Sequence, residues 1–182
     1  MPAMDTEYCK QRRMLLRALM AAGAGTGAAL ALPVRANELK LGQMAPPLVL
    51  STLDGKKIAT RDLQGDVVLV TFWASYCEPC LEELPLLSAY AEANAARGLR
   101  VLGFSLDGPE LIGDVKKVAA RLSFPVGMLG NPWAGGYGRI WRIPVSFVIA
   151  RDGKLAYDGW LDKQPVWSAE SLRKAVDPLL SA

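Results

Sequence analysis

The sequence contains no histidine and only three cysteines among 182 residues. The first absence removes the commonest metal ligand and the usual general base near neutral pH. A tetrahedral zinc site would have to be built from cysteine alone. A c-type haem attachment needs histidine directly after Cys-x-x-Cys, where Leu81 stands. No cofactor and no metal are therefore expected.

An excess of one charge is lacking too. The formal net charge of +3 comes from the first 36 residues: removing their five basic and two acidic residues from totals of 21 and 18 leaves 16 of each sign. A neutral remainder offers no basic patch for nucleic acid or an anionic membrane surface. Long hydrophobic runs are also missing. The uncharged stretch Ala18 to Leu32 falls short of the roughly 20 residues that span a bilayer, and Gly23, Gly25 and Gly27 weaken it as a helix.

That stretch follows Lys10, Arg12, Arg13 and Arg17 and precedes the small-residue pattern Val34-Arg35-Ala36, the plan of a cleavable secretory signal peptide more than of a permanent anchor. Residues 1–36 are thus expected to be the export signal, with export machinery as partner, and 37–182 a single domain in the periplasm or another extracytoplasmic space. The run Gln11 to Arg17 also resembles a twin-arginine export signal; a plain basic head is the simpler alternative. Cys9 leaves with the signal, so two cysteines remain.

Within 37–182, Leu48-Val49-Leu50, Asp54-Gly55 and Ile58 predict a short accessory hairpin. The nearly continuous run Val67 to Phe72 predicts a central strand buried on both faces. Helical spacing begins at Pro79, with Leu84, Leu87 and Ala91 on one face, Glu82 and Glu83 in the first turns, and Arg97-Gly98 at the end. A strand over Arg100 to Ser105, a helix over Glu110 to Leu122, strands over Val145 to Ile149 and Leu155 to Trp160, and a closing helix capped by Ser168 follow. Gly130 to Ile140 is expected to be a loop or a broken helix. The order implies an α/β fold: a mixed central sheet with helices on both faces.

Cys77 and Cys80 lie at the predicted strand-to-helix junction. A zinc half-site, a structural disulfide and a redox pair all use this spacing. Too few further ligands exist for zinc, and so short a loop gains little from cross-linking. At the start of a helix, free N–H groups and the macrodipole stabilise a thiolate. The first cysteine of such a turn is exposed and the second shielded, which makes Cys77 the nucleophile and Cys80 the resolving thiol.

The stretch Phe72-Trp73-Ala74-Ser75-Tyr76-Cys77-Glu78-Pro79-Cys80 looks like the active-site segment of thioredoxins. Pro85 stands where that fold kinks its helix. Ile143-Pro144 resembles its cis-proline, which faces the pair and contacts substrate backbone. With the signal peptide, the hairpin, the Glu-Pro dipeptide and an inserted helix and strand, the chain resembles the extracytoplasmic TlpA/ResA-like reductases. The resemblance implies a thioredoxin-like fold, substrate proteins bearing disulfides, apocytochrome c among them, and re-reduction by a membrane thiol carrier. It also implies a proton-handling role for Glu83, since Thr71 replaces the buried aspartate of cytoplasmic thioredoxins. A helix-start charge is the plainer account of Glu83. Tyr76 departs from the usual tryptophan and alters the rim. Of five tryptophans only Trp73 is given a role, as neighbour of the pair.

Glu78 places a negative charge beside Cys77, which opposes its thiolate and favours a reducing couple. Two alternatives belong to other classes. A peroxiredoxin-like thiol peroxidase would need threonine and arginine around its cysteine. A non-enzymatic metal-delivery module would need a longer cysteine spacing and a histidine.

Overall fold

Every residue of Val67–Trp73 is buried, and the other described elements pack around that run. The computed structural model describes residues 39–181; the signal, its cleavage point, the twin-arginine motif and Cys9 lie outside them. The strands are β1 (Val49–Ser51), β2 (Lys57–Ala59), β3 (Val67–Trp73), β4 (Leu99–Ser105), β5 (Val126–Met128), β6 (Val145–Ile149) and β7 (Leu155–Asp158). The α-helices are α1 (Glu78–Asn94), α2 (Ile112–Ala119) and α3 (Ala169–Leu180). Five strands form one sheet in the order β5-β4-β3-β6-β7, while β1 and β2 form a separate antiparallel hairpin.

The sheet is mixed. β4 runs parallel to β3 and β5 parallel to β4, each reached through a helix, whereas β6 and β7 are antiparallel. As the middle strand, β3 is covered on both faces, which is why its sequence is a continuous apolar run and does not alternate. Alternation decides which side chain enters which layer. Val67, Leu69 and Trp73 pack with Leu84 and Leu87 of α1 and Leu172 and Val176 of α3. Val70 and Phe72 pack on the other face with Leu50, Tyr137 and Phe147. Each large apolar side chain buried this way contributes roughly 1.5–3 kcal/mol.

The second face is covered by the hairpin and by 3-10 turns at Thr60–Leu63 and Gly135–Tyr137. The helical spacing over Glu110 to Leu122 resolves into a 3-10 turn at Pro109–Leu111 and the shorter α2. The expected strand from Leu155 ends at Asp158, whose carboxylate accepts from the Trp160 amide and turns the chain into a 3-10 segment. β5 went unread in the sequence because three residues carry no periodicity. It is held by backbone bonds at both ends, Gly103 N–H to Pro125 carbonyl (3.0 Å) and Leu129 N–H to Ser105 carbonyl (2.7 Å).

Two glycines are demanded by geometry. Gly98 ends the turn after α1 at φ 84°, a left-handed conformation disfavoured for other residues. Gly127 lets the hairpin lie against β5: a Cβ there would fall 2.0 Å from the Ser51 carbonyl oxygen. Ser168 caps α3 through a reciprocal pair with Ser171, whose amide bonds the Ser168 hydroxyl at 3.0 Å while the Ser168 amide bonds the Ser171 hydroxyl at 2.9 Å. Among the described residues, no helix is long and apolar enough to cross a membrane.

Candidate active site

β3 delivers the chain to the cysteine pair. Past Trp73, whose carbonyl accepts from Leu106 N–H at 2.8 Å, the backbone turns so that Cys77 N–H bonds the Ala74 carbonyl at 3.1 Å. Cys77 is then the N-cap of α1, in extended conformation, and its carbonyl takes the first intrahelical bond from Leu81. Pro79 fits in the first turn, where a missing N–H leaves no bond unmade. The Cys77 side chain occupies the place from which N-cap oxygens accept helix-terminal amides, so a thiolate there meets unpaired N–H groups and the positive end of the helix dipole.

The two sulfurs are bonded at 2.04 Å, with Cα atoms 5.2 Å apart. Cys77 is 8% exposed and Cys80 fully buried. Only Cys77 can be reached by a disulfide on another molecule. A surface concavity of about 440 Å³, lined by Ile58, Ala91, Leu99 and Phe124 among others, includes neither cysteine. No group of three or more metal-binding side chains occurs among the described residues.

A buried carboxylate absent from the sequence reading braces the turn. Asp107, just beyond β4, accepts from the Ser75 amide (2.9 Å), the Ser75 hydroxyl (2.5 Å) and the Ser105 hydroxyl (2.7 Å). Ser75, two residues before Cys77, is thereby tied to the chain just beyond the neighbouring strand. The sequence offered only Ser105-Leu106-Asp107 after a strand, a pattern too common to single out.

Glu83 does not stand in solvent as a helix-start charge. It is 2% exposed and shares the interior of α1 with Cys80, Leu84 and Leu87. Its Oε2 accepts from the Trp167 amide at 3.0 Å, and its Oε1 has no hydrogen-bond partner among the described residues. Burial outweighs that one bond and pushes the carboxyl up to about 7. Thr71 is also fully buried.

The Ile143–Pro144 peptide bond is cis and leads into β6, whose first residue, Val145, pairs with Phe72 at the site end of β3. Just upstream, Trp141 is 69% exposed and stacks on Trp160 with ring centroids 5.4 Å apart. The Arg142 guanidinium lies over both rings and donates to the carbonyls of Gly159, Trp160 and Asp162. Tyr76, next to Cys77, is 67% exposed. Trp73, by contrast, is fully buried in the layer that holds the cysteines.

A mixed sheet whose central strand ends in a disulfide at a helix start defines a class, the thioredoxin-fold thiol–disulfide oxidoreductases, and similar proteins fall in it. The chain belongs to the AhpC/TSA family, matched over residues 41–158, and is a ResA-like member of it. It is 32% identical over 121 residues to the thiol-disulfide oxidoreductases ResA of Bacillus thuringiensis (strain Al Hakam) and Bacillus anthracis, covering 65% of this chain and 68% of theirs. Among solved structures, one from Chlorobium tepidum described as a thiol:disulfide interchange protein DsbE is 28% identical with a TM-score of 0.67, over 79% of this chain and 99% of that one. The protein is a thiol–disulfide oxidoreductase, and its substrates are proteins bearing disulfides.

Proposed function

We propose that the chain is an extracytoplasmic protein-disulfide reductase. Cys77 attacks the substrate disulfide, Cys80 resolves the mixed disulfide, Glu83 takes the Cys80 proton, and Pro144 aligns the substrate backbone against the pair. The observation that carries this reading is the inequality within one helical turn: a reachable sulfur at the N-cap and an enclosed one three residues on. Thiol exchange needs that division, an attacking thiolate open to the partner and a second thiol kept from it.

The reductive direction rests on Glu78, whose charge beside Cys77 opposes the thiolate and so favours loss of electrons from the dithiol, a reducing couple. Location outside the cytoplasm rests on the signal-like residues 1–36, with the domain beginning near Asn37. Resemblance to the TlpA/ResA-like group supports apocytochrome c as a substrate and a membrane thiol carrier as electron donor. The test is trapping: Cys80→Ser, expressed in its own compartment, accumulates mixed disulfides on Cys77 and Cys77→Ser accumulates none. Equal trapping by both variants overturns the assignment, and a couple as oxidising as roughly −120 mV overturns the direction.

A further inference from the structure

Beneath the cysteine pair the sheet carries two hydroxyls where a strand buried on both faces is otherwise apolar. Thr71 of β3 and Ser146 of β6 sit directly opposite each other in the antiparallel ladder, so their Cβ atoms are roughly 4.5–5.5 Å apart. Thr71 is fully buried and Ser146 is 2% exposed. Neither hydroxyl has a hydrogen-bond partner among the described residues. An unpaired buried polar group costs roughly 1–3 kcal/mol, and valine or alanine would avoid that cost at either position.

Alternation places both in the same layer. Thr71 lies between Leu69 and Trp73 on their face of β3, and Ser146 lies two residues before Val148 on its face of β6; all three neighbours pack in the layer that holds Cys80 and the apolar face of α1. Glu83, three residues after Cys80 on that helix, is buried there with Oε1 unpaired among the described residues. The titratable group set against Glu83 from the sheet is Tyr157 of β7, itself hydrogen-bonded to Asp162 and under the influence of Arg142.

We propose that water bridges the Thr71 and Ser146 hydroxyls to Glu83 Oε1, making a polar floor that conveys the Cys80 proton to the carboxylate. This rests on the reading of Glu83 given above. In the resolving step the Cys80 thiol gives its proton to this floor, and each hydroxyl accepts one proton as it donates another through a bridging water. Cys80 Sγ bonds Cys77 Sγ, the bond from Cys77 to the substrate sulfur breaks, and the electron pair leaves on the substrate thiolate. The substrate is reduced by two electrons and the pair oxidised by two. The carboxyl returns its proton to water, and the leaving thiolate takes one from water.

The hydroxyls act on the resolving step, so the test separates it from the first attack. Reduced protein mixed with 5,5′-dithiobis(2-nitrobenzoate) releases two thionitrobenzoate ions, the first on attack by Cys77 and the second on resolution by Cys80. In Thr71→Val/Ser146→Ala the ratio of second to first rate constant at pH 7 falls about tenfold. The pH midpoint of the second phase rises, because donors to the charged carboxylate are lost. Thr71→Ser, which keeps the hydroxyl and deletes a methyl, retains the wild-type ratio and so separates proton transfer from packing. If the double variant, folded by circular dichroism, keeps both ratio and midpoint, the relay is overturned. Glu83→Gln tells the two ideas apart. A second phase that loses its pH dependence in that variant while the double variant keeps the wild-type ratio and midpoint removes the relay and keeps Glu83; one that keeps its pH dependence in Glu83→Gln removes both.

Discussion

Glu83 Oε2 and the Trp167 amide meet at 3.0 Å across 84 residues of sequence, one on the second turn of α1 and the other on the approach to α3. This single bond is what the protein gives a carboxyl that is otherwise enclosed by apolar side chains, and the imbalance keeps a proton on the group up to about pH 7.

The sign of the resulting pH effect is fixed. The folded carboxyl holds its proton to about 7, against 4.5 for the same group in the unfolded chain. Between these values the native state binds more protons than the unfolded one, so stability falls as pH rises through this window and is greatest below it. Chemical denaturation of the oxidised protein across pH 4 to 8 is expected to show a loss approaching about 3 kcal/mol, and Glu83→Gln to flatten it. A wild-type profile that rises over this range contradicts the burial argument.

Asp107→Ala removes the acceptor for the Ser75 amide and for the Ser75 and Ser105 hydroxyls. The expected loss is about 3 kcal/mol, since three donors lose a buried partner. Because the turn before Cys77 is released, the rate of its first attack on a protein disulfide should fall as well, read by single-turnover quenching. An unchanged rate in a folded variant would separate this brace from the chemistry.

Two glycines make opposite predictions for the same substitution. Gly127→Ala drives a Cβ into the Ser51 carbonyl and must displace the hairpin, so a loss of at least about 2 kcal/mol is expected. Gly113→Ala, in the first turn of α2 with open space around it, is expected to stabilise by up to about 1 kcal/mol. Paired denaturation curves decide both.

Arg142→Lys keeps the charge but loses the planar fork that spans three carbonyls and two indole faces. About 1–2 kcal/mol of stability should go with it, and the fluorescence of the Trp141–Trp160 stack should change. A spectrum identical to wild type shows that the stack is held without the guanidinium.

The elements with long repeating patterns were legible in the sequence. β3 announced itself by a continuous apolar run, α1 by its Leu84, Leu87 and Ala91 stripe, and α3 by Ser168. Short features with non-local causes were not. β5 exists because Gly103 and Ser105 offer it backbone partners, and α2 is shorter than its pattern because a 3-10 turn takes its first residues. At the site, the cysteine spacing and Pro144 could be read in sequence. The bond from Trp167 to Glu83, the brace at Asp107 and the pairing of Thr71 with Ser146 each join residues more than 30 positions apart, and no local pattern records them.

β3 lies between two partners over nearly its whole length and opens to solvent on neither face. Its amides are therefore expected to exchange hydrogen only when the whole domain opens. The reactive turn is mounted directly on that strand, so it has no loosely held sub-region to fray with. Heat inactivation and global unfolding should then follow one curve, and a population that still exchanges thiols should be a population that is still folded.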